Sequence, residues 1–101
     1  MDVQKVFAKG RAFFNPLFTL KFLKNPSDSR RFTVVVSTKV SKSAVRRNRI
    51  KRVLREYIRL NLPQLSPGDY AVVVKPAAAG KEAEEWRLSL EGLFKRSRLM
   101  I

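Results

Sequence analysis

The stretch from Ser41 to Pro63 constrains the fold more than any other, because it reads as one long helix that is apolar on one side only. Ser41-Lys42-Ser43 supplies hydroxyl N-caps, and Pro63 keeps the residue before it out of helical geometry. A helix is therefore predicted from this turn to about Leu60. On a helical wheel Ile50, Val53, Leu54 and Tyr57 form a single stripe, which must be buried against another element. The flanking sequence offers a sheet. Phe32-Thr33-Val34-Val35-Val36-Ser37 precedes the helix and Tyr70-Ala71-Val72-Val73-Val74 follows it, both rich in strand formers and bounded by turn residues. Two such strands joined through a helix suit parallel neighbours, with a right-handed connection as the default.

The remaining segments fill in around this unit. Val3, Val6 and Phe7 share a helical face, and Gly10 is a stop signal, so residues 2–9 read as a short helix. Phe18-Thr19-Leu20-Lys21-Phe22-Leu23 alternates as a strand does. The turn cluster Asn25-Pro26-Ser27-Asp28-Ser29 then predicts an antiparallel hairpin with Phe32–Ser37. A short extra strand is possible around Ala12–Phe14. Ser66-Pro67-Gly68-Asp69 is a turn and Lys75–Gly80 a connector. A last helix is expected from about Lys81 to Lys95, with Ala83, Trp86, Leu90, Leu93 and Phe94 facing inward and Trp86 in the core. Glu82, Glu84 and Glu85 at its start and Lys95 and Arg96 at its end match the helix dipole, a better account of those glutamates than a metal cluster. The 101 residues thus suit one domain, 1–101, of α+β class: a sheet of three or four strands covered by helices, with a small core.

The charge is lopsided. Lys and Arg number 22 against 8 Asp and Glu, a net +14. Residues 30–59 hold 11 of the cations and a single acid, Glu56, so +10 of the +14 falls in that segment. A polyanion partner relieves such self-repulsion, and nucleic acid is the first candidate. An anionic membrane surface is the competitor, but the apolar stripe is narrow and is needed to cover the sheet. There is no Cys and no His, which excludes disulfides, Cys/His zinc sites, a histidine base and a thiol nucleophile. No apolar run is long enough for a membrane span, and Met1–Lys5 lacks a signal-peptide core, so a cytoplasmic protein is expected.

Asn48, Arg52, Arg55 and Arg59 line up on the side of the helix away from the apolar stripe. Lys51 borders them, and Arg46, Arg47 and Arg49 spread around the first turns. Arg46, Arg47 and the turn residue Lys42 crowd an end that is already positive, a costly placement that makes sense if phosphates dock there. Arg outnumbers Lys here, and its planar fork suits phosphate and stacks on bases. Asn48 can donate and accept at once, as base edges and 2′-hydroxyls require; an ordinary exposed helix residue is the other reading.

The run Ala44-Val45-Arg46-Arg47-Asn48-Arg49-Ile50-Lys51-Arg52-Val53-Leu54-Arg55-Glu56 resembles the signature of the bacterial ribonuclease P protein family, an Arg-Asn-Arg core followed by Ile-Lys-Arg and a later Arg-Glu. Val3-Gln4-Lys5-Val6-Phe7 with Gly10, Val34-Val35-Val36-Ser37, Gly68-Asp69-Tyr70 and Leu90–Lys95 extend the likeness over nearly the whole chain. The resemblance implies a two-layer α+β sandwich with a mixed sheet and a left-handed βαβ crossover through the basic helix, like the second domain of the fifth small-subunit ribosomal protein. It also implies a function: subunit of the ribonucleoprotein that cuts the 5′ leader from precursor tRNA. The catalytic residues and most bound magnesium would belong to the RNA, so no residue of this chain would be catalytic. Contacts to ribonuclease P RNA would come from Lys39, Lys42, Arg46, Arg47, Asn48, Arg49, Lys51, Arg52, Arg55 and Arg59. A cleft for the single-stranded leader would involve Val3, Phe7 and Lys21, and no obligate protein partner is implied. Val3 and Lys21 stand where relatives often carry aromatics, which favours holding the leader by charge over stacking. Thr38 replaces a lysine after the strand, the turn Ser41-Lys42-Ser43 is one residue longer than the common form, and no basic segment precedes the first helix.

Two other classes fit the composition. A small ribosomal or ribosome-assembly protein matches size and charge equally well and differs only in lacking the Arg-Asn-Arg run. An independent nuclease lacks support, since the chain has few carboxylates and no His.

Overall fold

The computed structural model describes residues 1–100. Its elements are α1 (Val3–Lys9), β1 (Arg11–Phe14), β2 (Phe18–Leu23), β3 (Arg30–Val35), α2 (Ala44–Asn61), β4 (Gly68–Val74) and α3 (Ala83–Arg96), with short 3-10 turns at Leu62–Gln64 and Pro76–Gly80. The four strands form one mixed sheet in the order β1-β2-β4-β3. β3 and β4 are parallel and joined through α2, as their β-branched character suggests, while β1–β2 and β2–β4 are antiparallel.

The expected hairpin between Phe18–Leu23 and Phe32–Ser37 does not form, because β4 lies between the two strands. The reason is burial. β4 is buried at six of its seven positions, so it needs a partner on each edge. The turn after β2 is shaped to step across it. Asn25 Oδ1 accepts from the Ser29 amide at 3.1 Å, and Asn25 Nδ2 donates to Asp69 Oδ1 at 3.0 Å on the strand being crossed. The Gly68 amide donates to the Ser29 carbonyl at 2.8 Å. Gly68 itself has φ +153, and a Cβ there would lie 2.3 Å from the Phe22 ring, so only glycine lets β4 begin in this gap.

One face of the sheet carries the core. Phe18, Leu20 and Phe22 of β2, Tyr70, Val72 and Val74 of β4 and Val34 of β3 meet Ile50, Leu54 and Ile58 of α2 and Trp86, Leu90, Leu93 and Phe94 of α3. Tyr70 links the layers: its ring centroid is 5.0 Å from Phe22 and 5.9 Å from Phe94, and its hydroxyl donates to the Ser66 carbonyl. Trp86 is fully buried, with its indole N–H donating to the Ala78 carbonyl at 2.8 Å. The α2 stripe is rotated slightly from the wheel: Ile50, Leu54 and Ile58, spaced four apart, are fully buried, while Val53 and Tyr57 sit at its margins. α1 covers part of the opposite face with Val6, held by an Asp2 side-chain cap that accepts from the Lys5 amide. None of the described helices is long and apolar enough to cross a membrane.

Candidate nucleic-acid interface

α2 begins where its sequence signals place it. Ser43 is the N-cap, its hydroxyl accepting from the Arg46 amide at 3.2 Å. Because Ile50, Leu54 and Ile58 turn toward the sheet, the row on the far side faces solvent. Asn48, Lys51, Arg52, Arg55, Glu56 and Arg59 together line an open groove of about 500 Å³. Its remaining lining residue is Phe32, which comes from β3, the edge strand. Helix α2 is therefore a basic wall, and a partly buried aromatic lies beside it at the sheet edge.

The cations of the groove are not equivalent. Among the described residues, Arg49, Lys51, Arg52 and Arg55 form no ion pair. Arg59 is engaged: its Nη2 donates to Glu56 Oε1 at 2.6 Å and its Nε to Glu56 Oε2 at 3.2 Å. That fork holds the Glu56 carboxyl below its ordinary range and raises the Arg59 guanidinium. Both side chains are exposed, so the pair adds little stability.

Two arginines of the first turns, expected among the RNA contacts, are tied elsewhere. Arg46 Nη2 donates to the Ala79 carbonyl at 2.8 Å and to the Lys81 carbonyl at 3.2 Å, and its guanidinium lies 5.4 Å from the Trp86 ring centroid. It joins α2 to the entrance of α3 and faces away from the groove. Arg47 Nη1 donates to the Ser41 carbonyl at 2.9 Å, fastening the turn before the helix. These carbonyls answer part of the dipole cost of cations at a helix N-terminus, which the sequence alone assigned to phosphate. Lys39 and Lys42 are exposed in the β3–α2 loop, and Arg49 is exposed on the second turn.

Val3, Phe7 and Lys21 lie on the other side of the sheet. Lys21 is paired with Ala12 of β1 and Ala71 of β4 and alternates with the core residues Leu20 and Phe22, so it projects from the face that α1 covers. Val3 and Phe7, one turn apart on α1, are partly buried beside the buried Val6. The structure thus separates the expected site residues into two groups, on opposite faces of the sheet. Phe32 and Glu56 as groove residues escaped the sequence reading. Phe32 read as one more strand position, and Glu56 as the lone acid of a basic segment; only their juxtaposition across the β3 edge distinguishes them.

Comparisons with known proteins agree on one relationship. A family model described as ribonuclease P matches residues 1–98. The ribonuclease P protein component of an Exiguobacterium species is 36% identical over 98 residues, spanning 97% of this chain and 85% of that protein. The one from Clostridium acetobutylicum is 36% identical over 103 residues, spanning 99% and 86%. Among solved structures, the RNase P protein of Staphylococcus aureus superposes with a TM-score of 0.92 at 28% identity, covering 99% of this chain and 92% of that one. That of Thermotoga maritima does so with 0.84 at 31%, covering 94% and 90%. With the sheet order, the basic outer row of α2 and full-length similarity all in agreement, this chain belongs to the ribonuclease P protein family.

Proposed function

We propose that this chain is the protein subunit of ribonuclease P and acts by binding and positioning RNA, leaving bond cleavage to the RNA subunit. The observation that carries this reading is the groove-lining row Asn48-Lys51-Arg52-Arg55 on α2, whose three cations have no ion-pair partner among the described residues and lie inside the segment that holds most of the net charge. Arginine forks pair bidentately with phosphates, and docking of such a row releases counterions. Lys39, Lys42 and Arg49 extend this surface around the start of the helix. Arg47 and Arg46 support it from behind, by holding the turn and the α2–α3 junction.

The second group, Val3, Phe7 and Lys21, is proposed to hold the 5′ leader of precursor tRNA. Phe7 offers an apolar surface for a base and Lys21 a phosphate partner. Magnesium is an expected participant. Among the described residues no three His, Cys, Asp or Glu side chains converge, so the chain itself does not fit a resident metal site. RNA phosphates are the donor set we propose for the ion. The work is placed in the cytoplasm, with no membrane and no obligate protein partner.

Reconstitution tests the reading. At low magnesium the chain should raise cleavage of precursor tRNA by a bacterial ribonuclease P RNA, while cutting nothing alone. Absence of stimulation would refute it and favour a ribosomal-RNA partner. Phe7→Ala should reduce processing of long-leader substrates more than of leaderless ones; equal losses would remove the leader from this face.

A further inference from the structure

The groove between α2 and the β3 edge contains more than a phosphate-binding row needs. Phosphate wants cations and nothing apolar, yet Phe32, which packs against the core and is only partly buried, also lines the groove, and the carboxylate of Glu56 stands among Lys51, Arg52, Arg55 and Arg59. An acid there repels a phosphate backbone. Helix stability does not account for it either, because an exposed pair such as Glu56–Arg59 contributes little. Both features have one explanation in an unpaired base. Single-stranded RNA is read by stacking flipped-out bases on aromatic rings and by hydrogen bonds to their Watson–Crick edges.

We propose that this groove binds one unpaired guanine of the partner RNA, stacked against Phe32 and read by Glu56; this rests on the ribonuclease P reading above. The choice of guanine follows from donor geometry. Guanine presents two adjacent donors, N1–H and the N2 amino group, which match the two oxygens of a carboxylate. Adenine, cytosine and uracil present one donor each on that edge. The Arg59 fork leaves each Glu56 oxygen a free lone pair, while fixing the carboxylate and keeping it ionised. Arg52 and Arg55 flank it to take the phosphates on either side, and Asn48 can meet the ribose or the base. A volume of about 500 Å³ lies within the range of roughly 300–1,000 Å³ typical of small-molecule sites.

The test uses the full chain bound to a bacterial ribonuclease P RNA, probed with kethoxal, which modifies N1 and N2 of unpaired guanines. Wild-type protein should protect a guanine from kethoxal. Glu56→Gln should abolish that protection and lower affinity about tenfold. Phe32→Leu, which keeps an apolar side chain, should also weaken binding about tenfold, and Phe32→Trp should restore it. If Glu56 only neutralises Arg59, Glu56→Gln frees that arginine for a phosphate: affinity would rise, the salt slope would steepen, and the kethoxal pattern would not change. Those results overturn the proposal. A backbone footprint along α2 without any Glu56-dependent guanine also overturns it while sparing the ribonuclease P reading. Failure of wild-type protein to bind the RNA at all overturns both.

Discussion

Arg46 and Arg52 belong to the same basic run, and the structure predicts that their removal has opposite consequences. Arg46 donates two charge-assisted hydrogen bonds to the carbonyls of Ala79 and Lys81 and lies over the Trp86 ring. Hydrogen bonds from a charged donor contribute about 1.5–3 kcal/mol where they are desolvated, and a cation over an aromatic ring about 0.5–1 kcal/mol. The site is only partly buried, so screening reduces the total, and Arg46→Ala should cost about 2 kcal/mol. Unfolding entropy of roughly 2.1 cal/mol/K per residue makes that a fall in Tm of about 9 °C for a chain of this length. Arg52 is exposed and has no ion-pair partner among the described residues, so Arg52→Ala should leave Tm within about 2 °C. RNA binding should reverse the ranking. Arg52→Ala should reduce the slope of log affinity against log salt by about 0.7–0.9, the loss of one phosphate contact, whereas Arg46→Ala should leave that slope nearly unchanged. Thermal unfolding by circular dichroism and filter binding over a salt series read the two quantities separately. An Arg46→Ala protein that melts like wild type but loses as much salt slope as Arg52→Ala would show that Arg46 faces RNA, and would refute the assignment.

Two further outcomes follow from the core. Gly68→Ala should lose about 2–4 kcal/mol in a urea titration, because its Cβ would lie 2.3 Å from Phe22 Cε1 and its φ of +153 strains an L-residue; an unchanged midpoint would mean that β4 does not start in this conformation. Burial pushes the Tyr57 and Tyr70 hydroxyls up to about 12. A raised folded-state value makes the neutral form part of the fold's stability, present below the ordinary tyrosine range and lost as pH climbs from about 10 through 12. Tyrosinate absorbance should therefore appear late and together with unfolding; normal titration of both rings in the folded chain would contradict their burial.

The sequence was most informative where a rule is local. Ser43 caps α2, Pro63 lies just past its end, and the alternation of β2 correctly separates Lys21 from Leu20 and Phe22. It misled where the outcome depends on a distant segment. The turn at Asn25–Ser29 is a sound turn, but a turn does not say whether the strands on either side pair with each other. Here the doubly buried β4 takes both edges, and Asn25 reaches residue 69 to let it in. Arg46 is a similar case. The wheel gives the direction of its side chain, but the carbonyls that receive it lie more than thirty residues away, in a connector with no sequence signal for that role. Phe32 and Glu56 are far apart in sequence and in different elements, and nothing in either segment marks them as neighbours. The positions of Val3, Phe7 and Lys21 as a group were legible only through family resemblance, because α1 and β2 show just a face each.

How the fold disposes of its cations supports α2 as the proposed place for RNA. Arg31 forms a fork with the buried Asp69, whose carboxyl burial would push up; the Arg31 and Asn25 hydrogen bonds outweigh that and hold it below its ordinary range. Arg30 donates to the Leu65 carbonyl at 2.7 Å, Lys75 to that of Asn15 at 2.8 Å and Arg96 to that of Phe14. Lys81 and Lys95 pair with Glu85 and Glu91 along α3. Arg30, Arg31, Lys75 and Arg96 hold elements together, whereas Lys81 and Lys95 are occupied in local pairs. Arg49, Lys51, Arg52 and Arg55 have no such ion pair among the described residues, and they stand within two turns of one helix whose other side is locked into the core. Their mutual repulsion is a standing cost that packing cannot relieve, because rotating α2 would expose Ile50, Leu54 and Ile58. An external polyanion lowers it, and so does salt. RNA binding should therefore stabilise the chain against unfolding by more at low salt than at high, since counterions already screen the row when salt is plentiful.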